Sequence, residues 1–284
     1  MRAQQFVALE EMLSDAGIEI VESHTVEKGR ELTRRLRKLV DRGKTSCIAV
    51  AGGDGSMTRA AAELAHRKFT LGVLPTGTGN SFARSLGIDG LEAAVETIAC
   101  GARKKIDLGI ADGCYFANFA TLGLVSEVAA ATPEALKAVS GIAAYAVAGI
   151  VAGLRSHPFS VKIRGSGVAF EAKVHQVAVV SGRCFGTQPI IPDASLTSGK
   201  LVVFTTTAQN AAEIAQDFLA IGMGTHANRE DAHWWTVRRV RIATSSTQRL
   251  AIDGRLIHKT RATRFKIDPR ALRVFVPPDF DDAP

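Results

Sequence analysis

Two short glycine-rich segments hold the residues best suited to chemistry. The first, Gly52-Gly53-Asp54-Gly55-Ser56-Met57-Thr58, leaves the apolar run Cys47 to Ala51 and enters an alanine-rich helical stretch, Thr58 to His66. Glycine there lets the backbone approach a ligand closely, and the N–H groups at a helix start suit a phosphate. Asp54 offers a carboxylate that can take a proton or hold a metal. The second segment, Pro75-Thr76-Gly77-Thr78-Gly79-Asn80-Ser81, ends the apolar run Leu71 to Leu74. Its hydroxyl and amide groups suit phosphate or ribose. Turns at the carboxyl ends of successive parallel strands are where open α/β sheets bind ligands. A purely structural glycine turn is the alternative. Two lookalikes fail. Gly43-Lys44-Thr45 ends like a P-loop, but the first glycine of that pattern falls on Lys38 and the segment precedes a strand. Gly77-x-Gly79 opens like a dinucleotide fingerprint, but its third glycine falls on Phe82, which disfavours a nicotinamide-dependent oxidoreductase.

The elements that must position these turns follow from hydrophobic periodicity. Phe6, Leu9, Met12 and Leu13 share a helical face ending at Gly17, and an extended run, Ile18 to Val21, follows. Leu32, Leu36, Leu39 and Val40 mark a second amphipathic helix. Its other face carries Arg34, Arg35, Arg37, Lys38 and Arg42, either a solvated face or an attraction to an anionic membrane. Strand and helix then alternate through the two glycine turns, the rhythm of a parallel sheet covered by helices. Beyond Lys105 the pattern changes to short β runs: Tyr115 to Phe119, Phe159 to Ile163, Val174 to Val180, Leu201 to Thr206, Val237 to Ala243, Arg249 to Ile252 and Arg264 to Ile267. Two helical stretches interrupt them, Ile142 to Leu154 (with Tyr145, read as core) and Ala211 to Met223. His226, His233, Trp234 and Trp235 precede a strand and read as packing residues or as a lipid-interface contact.

Composition bounds the partners. The 284 residues include 35 Lys+Arg against 28 Asp+Glu, a net charge of +7, and 46% are hydrophobic. This is a chain that buries a core and favours anions: nucleotide phosphates, nucleic acid or an acidic membrane face. Cys47, Cys100, Cys114 and Cys184 form no CxxC pair, which argues against structural zinc and against a disulfide framework. Glu10, Glu11 and Asp15 break any leader pattern at the N-terminus, and Ile142 to Leu154 is too short to span a bilayer. The expectation is a soluble, cytoplasmic protein.

Taken in order, the motifs resemble the diacylglycerol kinase-like lipid kinases, a superfamily that includes sphingosine kinases and NAD kinases. The resemblance rests on Gly52-Gly53-Asp54-Gly55-Ser56, Leu74 to Arg84, Phe116 to Leu124, Val180 to Gly186 with Pro192-Asp193-Ala194, and Ile252-Asp253-Gly254. NAD kinases usually carry Asn-Glu where this chain has Asn118-Phe119, which favours the lipid branch. The resemblance implies a Rossmann-like α/β lobe over residues 1–104 and a mostly antiparallel β-sandwich lobe over 105–269, with residues 270–284 returning to the first lobe. The nucleotide cleft would lie between the lobes. It also implies ATP over Gly52 to Thr58, with Thr25, Gly77, Thr78, Gly79 and Asn80 as further nucleotide contacts. The acceptor would be a lipid hydroxyl at the inner membrane face. Nucleic acid is not expected, and a homodimer is.

Catalytic expectations fall on Asp54, the proposed base in related sphingosine and NAD kinases, and on Asp253. The family's Asn-Glu after the glycine turn is Thr58-Arg59 here, and the Asp-Gly-Glu that carries its usual base is Asp253-Gly254-Arg255. The magnesium-linked aspartate corresponds to Ser198, so the Mg2+ position falls on Ser195, Ser198 and Lys200. The family's opening strand, ending in Asn-Pro-x-Ser-Gly, would precede Met1. The two resulting expectations are an ATP-dependent lipid kinase, and a nucleotide-binding homologue with weak or no catalysis that acts as a regulatory or interaction protein.

Overall fold

The computed structural model describes residues 3–123, 157–182, 184–185, 188–189, 194–208, 210–223, 225 and 229–282. In the N-terminal half, strands β1 (Cys47–Gly52) and β2 (Thr70–Pro75) run parallel, with Cys47 opposite Thr70 and Gly52 opposite Pro75. Every residue of β2 is buried, the mark of a strand covered on both faces. Helices α1 (Ala3–Asp15), α2 (Gly29–Arg42), α3 (Asp54–Leu64), α4 (Ser81–Ser85) and α5 (Leu91–Cys100) surround it. On α2 the predicted apolar face turns inward: Leu36 is buried and Leu32, Leu39 and Val40 pack against the core. On the basic face Arg37 makes two 2.9 Å contacts with Glu63 of α3.

The C-terminal half is antiparallel. Its strands are β3 (Arg103–Ala111), β4 (Cys114–Phe116), β5 (Phe119–Gly123), β6 (Phe159–Gly165), β7 (Val168–Val174), β8 (Gln176–Val180), β9 (Cys184–Phe185), β10 (Gln188–Pro189), β11 (Leu201–Thr206), β12 (Ala232–Val237), β13 (Arg239–Ile252) and β14 (Arg255–Phe275). Helix α6 (Ala211–Met223) connects β11 to β12. Strand β13 pairs β14 on one side and divides its other side between two strands. Its first part pairs β6 (Arg241 to Thr244) and its last part pairs β5 (Leu250 to Ile252), with a register shift after Ala243. That bend sets Val161 and Ile163 of β6 across one apolar core from Val177 and Val179 of β8 and Val203 of β11. Strand β14 is longer still. It pairs β13 antiparallel near its start, β3 along its length, and β2 in parallel at its end, with Arg273 opposite Thr70. One strand therefore belongs to both halves.

The fold class holds, and several local expectations change. Ile18 to Val21 forms no strand; Ile18 and Ile20 pack against the core from an irregular segment. The runs Val237 to Ala243 and Arg249 to Ile252 belong to one strand, β13, and Arg264 to Ile267 is a fragment of β14. Val174 to Val180 splits at His175. His233, Trp234 and Trp235 lie within β12 instead of before it. His233 and Trp235 pack at a tilt against Phe170 of β7, with ring centroids 5.0 and 4.7 Å away, while Trp234 faces out at 39% exposure. The helix expected at 142–154, with Tyr145, and His226 lie outside the described residues.

On α6, burial pushes the Asp217 carboxyl up to about 6, against the pull of the Thr206 hydroxyl and of Arg229, whose Nε is 2.9 Å away. The folded chain then keeps this proton up to about pH 6, whereas the unfolded chain loses it near the ordinary 3.8. Stability from this group is greatest at low pH and falls as pH rises through that window. Urea midpoints of Asp217→Asn should lack this decline, so the variant gains on wild type between those values; parallel curves would assign the proton elsewhere.

Candidate active site

The two glycine turns meet. Gly53 precedes α3 and Asp54 is its first residue, so the N–H groups of this turn open at a helix N-terminus. The backbone N–H of Thr76 donates to the Gly52 carbonyl at 3.2 Å, which lays the second turn against the first. The approach is so close that a Cβ on Gly77 would stand 2.5 Å from Gly53 Cα. Asn80, at φ 50°, closes its own turn by accepting from the Gly77 N–H and donating to the Gly77 carbonyl. Its amide therefore shapes the turn. Thr76, Gly77 and Thr78 are exposed above it.

Asp54 sits at this junction. Its Oδ1 accepts the Phe82 N–H at 3.0 Å, and a Cβ on Gly79 would stand 3.1 Å from Oδ2. The carboxylate is thus fixed between the turns by the start of α4. Ser56 lies beside Gly52, while Met57 is buried in the core and offers a ligand only its backbone. Thr58 is buried too. Its hydroxyl lies 2.9 Å from the Asp54 carbonyl and 2.7 Å from Asp253 Oδ2. Thr25 is exposed on the segment before α2, and among the described residues it makes no hydrogen bond to either turn.

Asp253, the second expected catalytic residue, lies in a dense set of hydrogen bonds. Its carboxylate accepts the N–H groups of Ala117, Asn118 and Phe119 at 2.9, 3.0 and 2.9 Å, besides the Thr58 hydroxyl. Burial pushes this carboxyl up, and those four donors pull against it. All its acceptor capacity ties α3 to the β4–β5 junction. A second tie lies along the same seam: Asp268 of β14 accepts the Tyr115 hydroxyl at 2.7 Å and contacts His66 Nε2 at 2.9 Å. Burial opposes ionisation of Asp268, but those two partners outweigh it and hold the carboxyl below the ordinary range. Gly182 lies so near Asn118 that a Cβ would stand 2.6 Å from its Oδ1, which explains the Ser181-Gly182 pair.

The segment with Ser195, Ser198 and Lys200 is fastened by two carboxylates that sequence reasoning missed. Asp282 accepts the Ser195 and Thr197 hydroxyls, each at 2.8 Å, and the Leu196 N–H. Asp107 accepts the N–H groups of Gly199 and Arg270. Burial pushes Asp107 up, and Asp282 and Asp268 add to that push. A hard cation such as Mg2+ takes anionic oxygens. Here the side chains at its expected position are two hydroxyls and an ammonium, and the nearby carboxylates are committed to loop donors. No group of three or more His, Cys, Asp or Glu able to hold a metal occurs among the described residues. The residues present do not fit a magnesium ion at this position. The signal in the sequence was slight: Asp282 lies in an acidic tail, and Asp107 within an ordinary strand.

Arg59 and Arg255 come together, and Arg30 joins them. Burial and the charges of Arg255 and Arg30 hold the Arg59 guanidinium below its ordinary range. Arg59 rests on Gly29, the first residue of α2.

Comparison with known proteins gives the family. Residues 2–111 match the diacylglycerol kinase catalytic domain, and residues 120–276 match the YegS C-terminal NAD kinase beta sandwich-like domain. The chain is 31% identical over 212 residues to a diacylglycerol kinase of Bacillus subtilis (strain 168), covering 73% of this chain and 70% of that protein. It is 26% identical over 271 residues to one of Staphylococcus aureus (strain NCTC 8325 / PS 47), covering 94% and 85%. A Bacillus anthracis str. Sterne structure, described as a candidate diacylglycerol kinase, superposes with TM-score 0.78 at 27% identity, covering 91% and 84%. An NAD kinase from Archaeoglobus fulgidus, solved with ATP, shares the fold at TM-score 0.52 and 11% identity, covering 97% and 90%. The chain belongs to the diacylglycerol kinase family. No described helix is long and apolar enough to cross a membrane.

Two outcomes are expected from this geometry. Gly77→Ala must push the turns apart, so ATP affinity by calorimetry should fall at least about tenfold; unchanged affinity in a folded variant would remove the turns from the site. Asp253→Ala leaves two buried N–H groups, those of Ala117 and Asn118, without their acceptor, at about 1–3 kcal/mol each, and a third, of Phe119, half-buried. Its urea midpoint should drop sharply, well below that of Asp253→Asn, which retains one accepting oxygen.

Proposed function

We propose that this chain is an ATP-dependent lipid kinase of the diacylglycerol kinase type. The observation that carries the reading is the carboxylate of Asp54, fixed where the two glycine turns abut at the carboxyl ends of β1 and β2. The phosphates of ATP would lie over Gly52, Gly53, Gly55 and Ser56, with the N-terminus of α3 favouring their charge. Gly77 to Asn80 would form the opposite wall of the cleft. The acceptor hydroxyl would attack the γ-phosphorus: a bond forms from its oxygen, the bond to the bridging β–γ oxygen breaks, and ADP leaves. Asp54 would take the hydroxyl proton, because Arg255 cannot accept one at physiological pH. Such transfer rests mainly on positioning and charge neutralisation, and magnesium would arrive with the nucleotide, since the Ser195–Lys200 segment does not suit it. The relatives named as diacylglycerol kinases support a lipid as the acceptor.

A second reading keeps nucleotide binding and drops catalysis, the chain serving as a regulatory or interaction protein. It is favoured by Arg59, Ser198 and Arg255 standing where the family pattern is acidic. Transfer from radiolabelled ATP to a panel of neutral and anionic lipid vesicles decides between the two. Asp54→Asn should slow transfer about 10²–10⁴-fold with nucleotide affinity nearly unchanged. Rates within a few-fold of wild type would remove Asp54 from the proton path, and no transfer to any lipid would favour the second reading.

A further inference from the structure

Three arginines from three elements are brought near one another, without a carboxylate partner among the described residues: Arg30 follows Gly29, against which Arg59 lies, and Arg255 stands two residues after Asp253, the partner of Thr58 beside Arg59. Arg59 projects from the second turn of α3 and lies across the first residue of α2, where a Cβ on Gly29 would stand 2.7 Å from its Cζ. The guanidinium thus rests directly on the backbone at Gly29. Arg30 follows on α2, and Arg255 opens β14 two residues after the fully engaged Asp253. The acids nearby are spent or turned elsewhere. Glu63 is paired with Arg37, Asp253 is saturated, and Glu31 in the first turn of α2 is exposed and forms no ion pair among the described residues. The end of α2 that meets the cluster is its N-terminus, whose N-cap residue, Lys28, gives no side-chain cap. The helix dipole therefore adds positive potential to three like charges, one of them half-buried. The weakened basicity of Arg59 reflects that burial and the two neighbouring charges.

Resting on the lipid kinase reading above, we propose that Arg30, Arg59 and Arg255, with the N-terminus of α2, form a phosphate subsite distinct from the nucleotide turn. It takes the phosphodiester headgroup of an anionic acceptor lipid. Two helix N-termini then serve two anions: that of α3 the nucleotide, that of α2 the acceptor. The separation supports this division, since Arg59 lies five residues beyond Asp54, about 7 Å along a helix axis, and points toward α2. Guanidinium groups suit a phosphodiester because their paired N–H donors match two of its oxygens. Arg255 contributes from the far side of the seam, so the subsite is complete only with both halves of the chain.

The test reads binding alone, so it succeeds or fails independently of turnover. With the nucleotide turn saturated by a non-hydrolysable ATP analogue, inorganic phosphate is titrated and followed by NMR. Phosphate should still bind, and Arg30→Gln and Arg255→Gln, both at exposed positions, should each weaken it about tenfold while analogue affinity stays within twofold. Loss of phosphate binding once the analogue is present would overturn the proposal, as would a fall in analogue affinity in the variants, which would assign the arginines to the nucleotide. Sedimentation with vesicles then separates the two sources of phosphate. Wild type should prefer phosphatidylcholine vesicles containing phosphatidylinositol over those containing neutral diacylglycerol, and Arg255→Gln should lose that preference. Equal retention on both would overturn the lipid assignment in favour of a free phosphate, and a preference that survives in Arg255→Gln would overturn the role of the cluster.

Discussion

The arrangement depends on one buried carboxylate. Asp253 enters from the end of β13, and the donors it collects come from α3, from Ala117 and Asn118 between β4 and β5, and from Phe119, which opens β5. It is buried, so those N–H groups would lack their acceptor without it. Because Thr58 also leans on the carbonyl of Asp54, the contact fixes the first turn of the helix that carries the glycine segment. The position of Asp54 is thereby set from two directions: by the Phe82 N–H above and by the Thr58–Asp253 link below. A charge this deep is tolerable only when fully hydrogen-bonded, and that requirement makes the residue a joint between the halves.

Much of this was legible in the residues, and what was not has a physical reason. The turns at Gly52 and Gly77 could be read because glycine, strand end and helix start coincide in a short span. The parallel pair β1 and β2 announced itself as continuous apolar runs. Helix α5 and strand β3 gave weaker signals, because an apolar helix of ten residues and a strand opening with Arg103-Lys104-Lys105 carry little contrast in their pattern. Strand β13 was read as two pieces because Ser245, Ser246 and Thr247 look like a turn, whereas pairing on either side keeps the chain extended through a register shift. Tertiary pairing overrode local preference there.

At the site itself, single residues were read more reliably than their partnerships. Asp253 stood out by type and motif, but its four donors come from positions more than 130 residues away in the chain, and no spacing rule joins them. Asp107 and Asp282 lacked any motif at all. Arg59 and Arg255 were noticed because they depart from a pattern. Arg30 was invisible as part of their group, because only the packing of α2 on α3 brings it there.

Strand β14 has a consequence for how the molecule is made. The N-terminal sheet is completed by residues such as Arg273 and Val274, which come about two hundred positions after their partners Thr70 and Leu71. During synthesis β1, β2 and their helices emerge from the ribosome long before the strand that must lie beside them. Until then the flank of β2 exposes unpaired N–H and C=O groups together with a strongly apolar surface, an inviting template for other extended chains. Vectorial folding of the first half is thus held open until the last strand is released, and the interval before it docks is when the nascent chain most needs a chaperone.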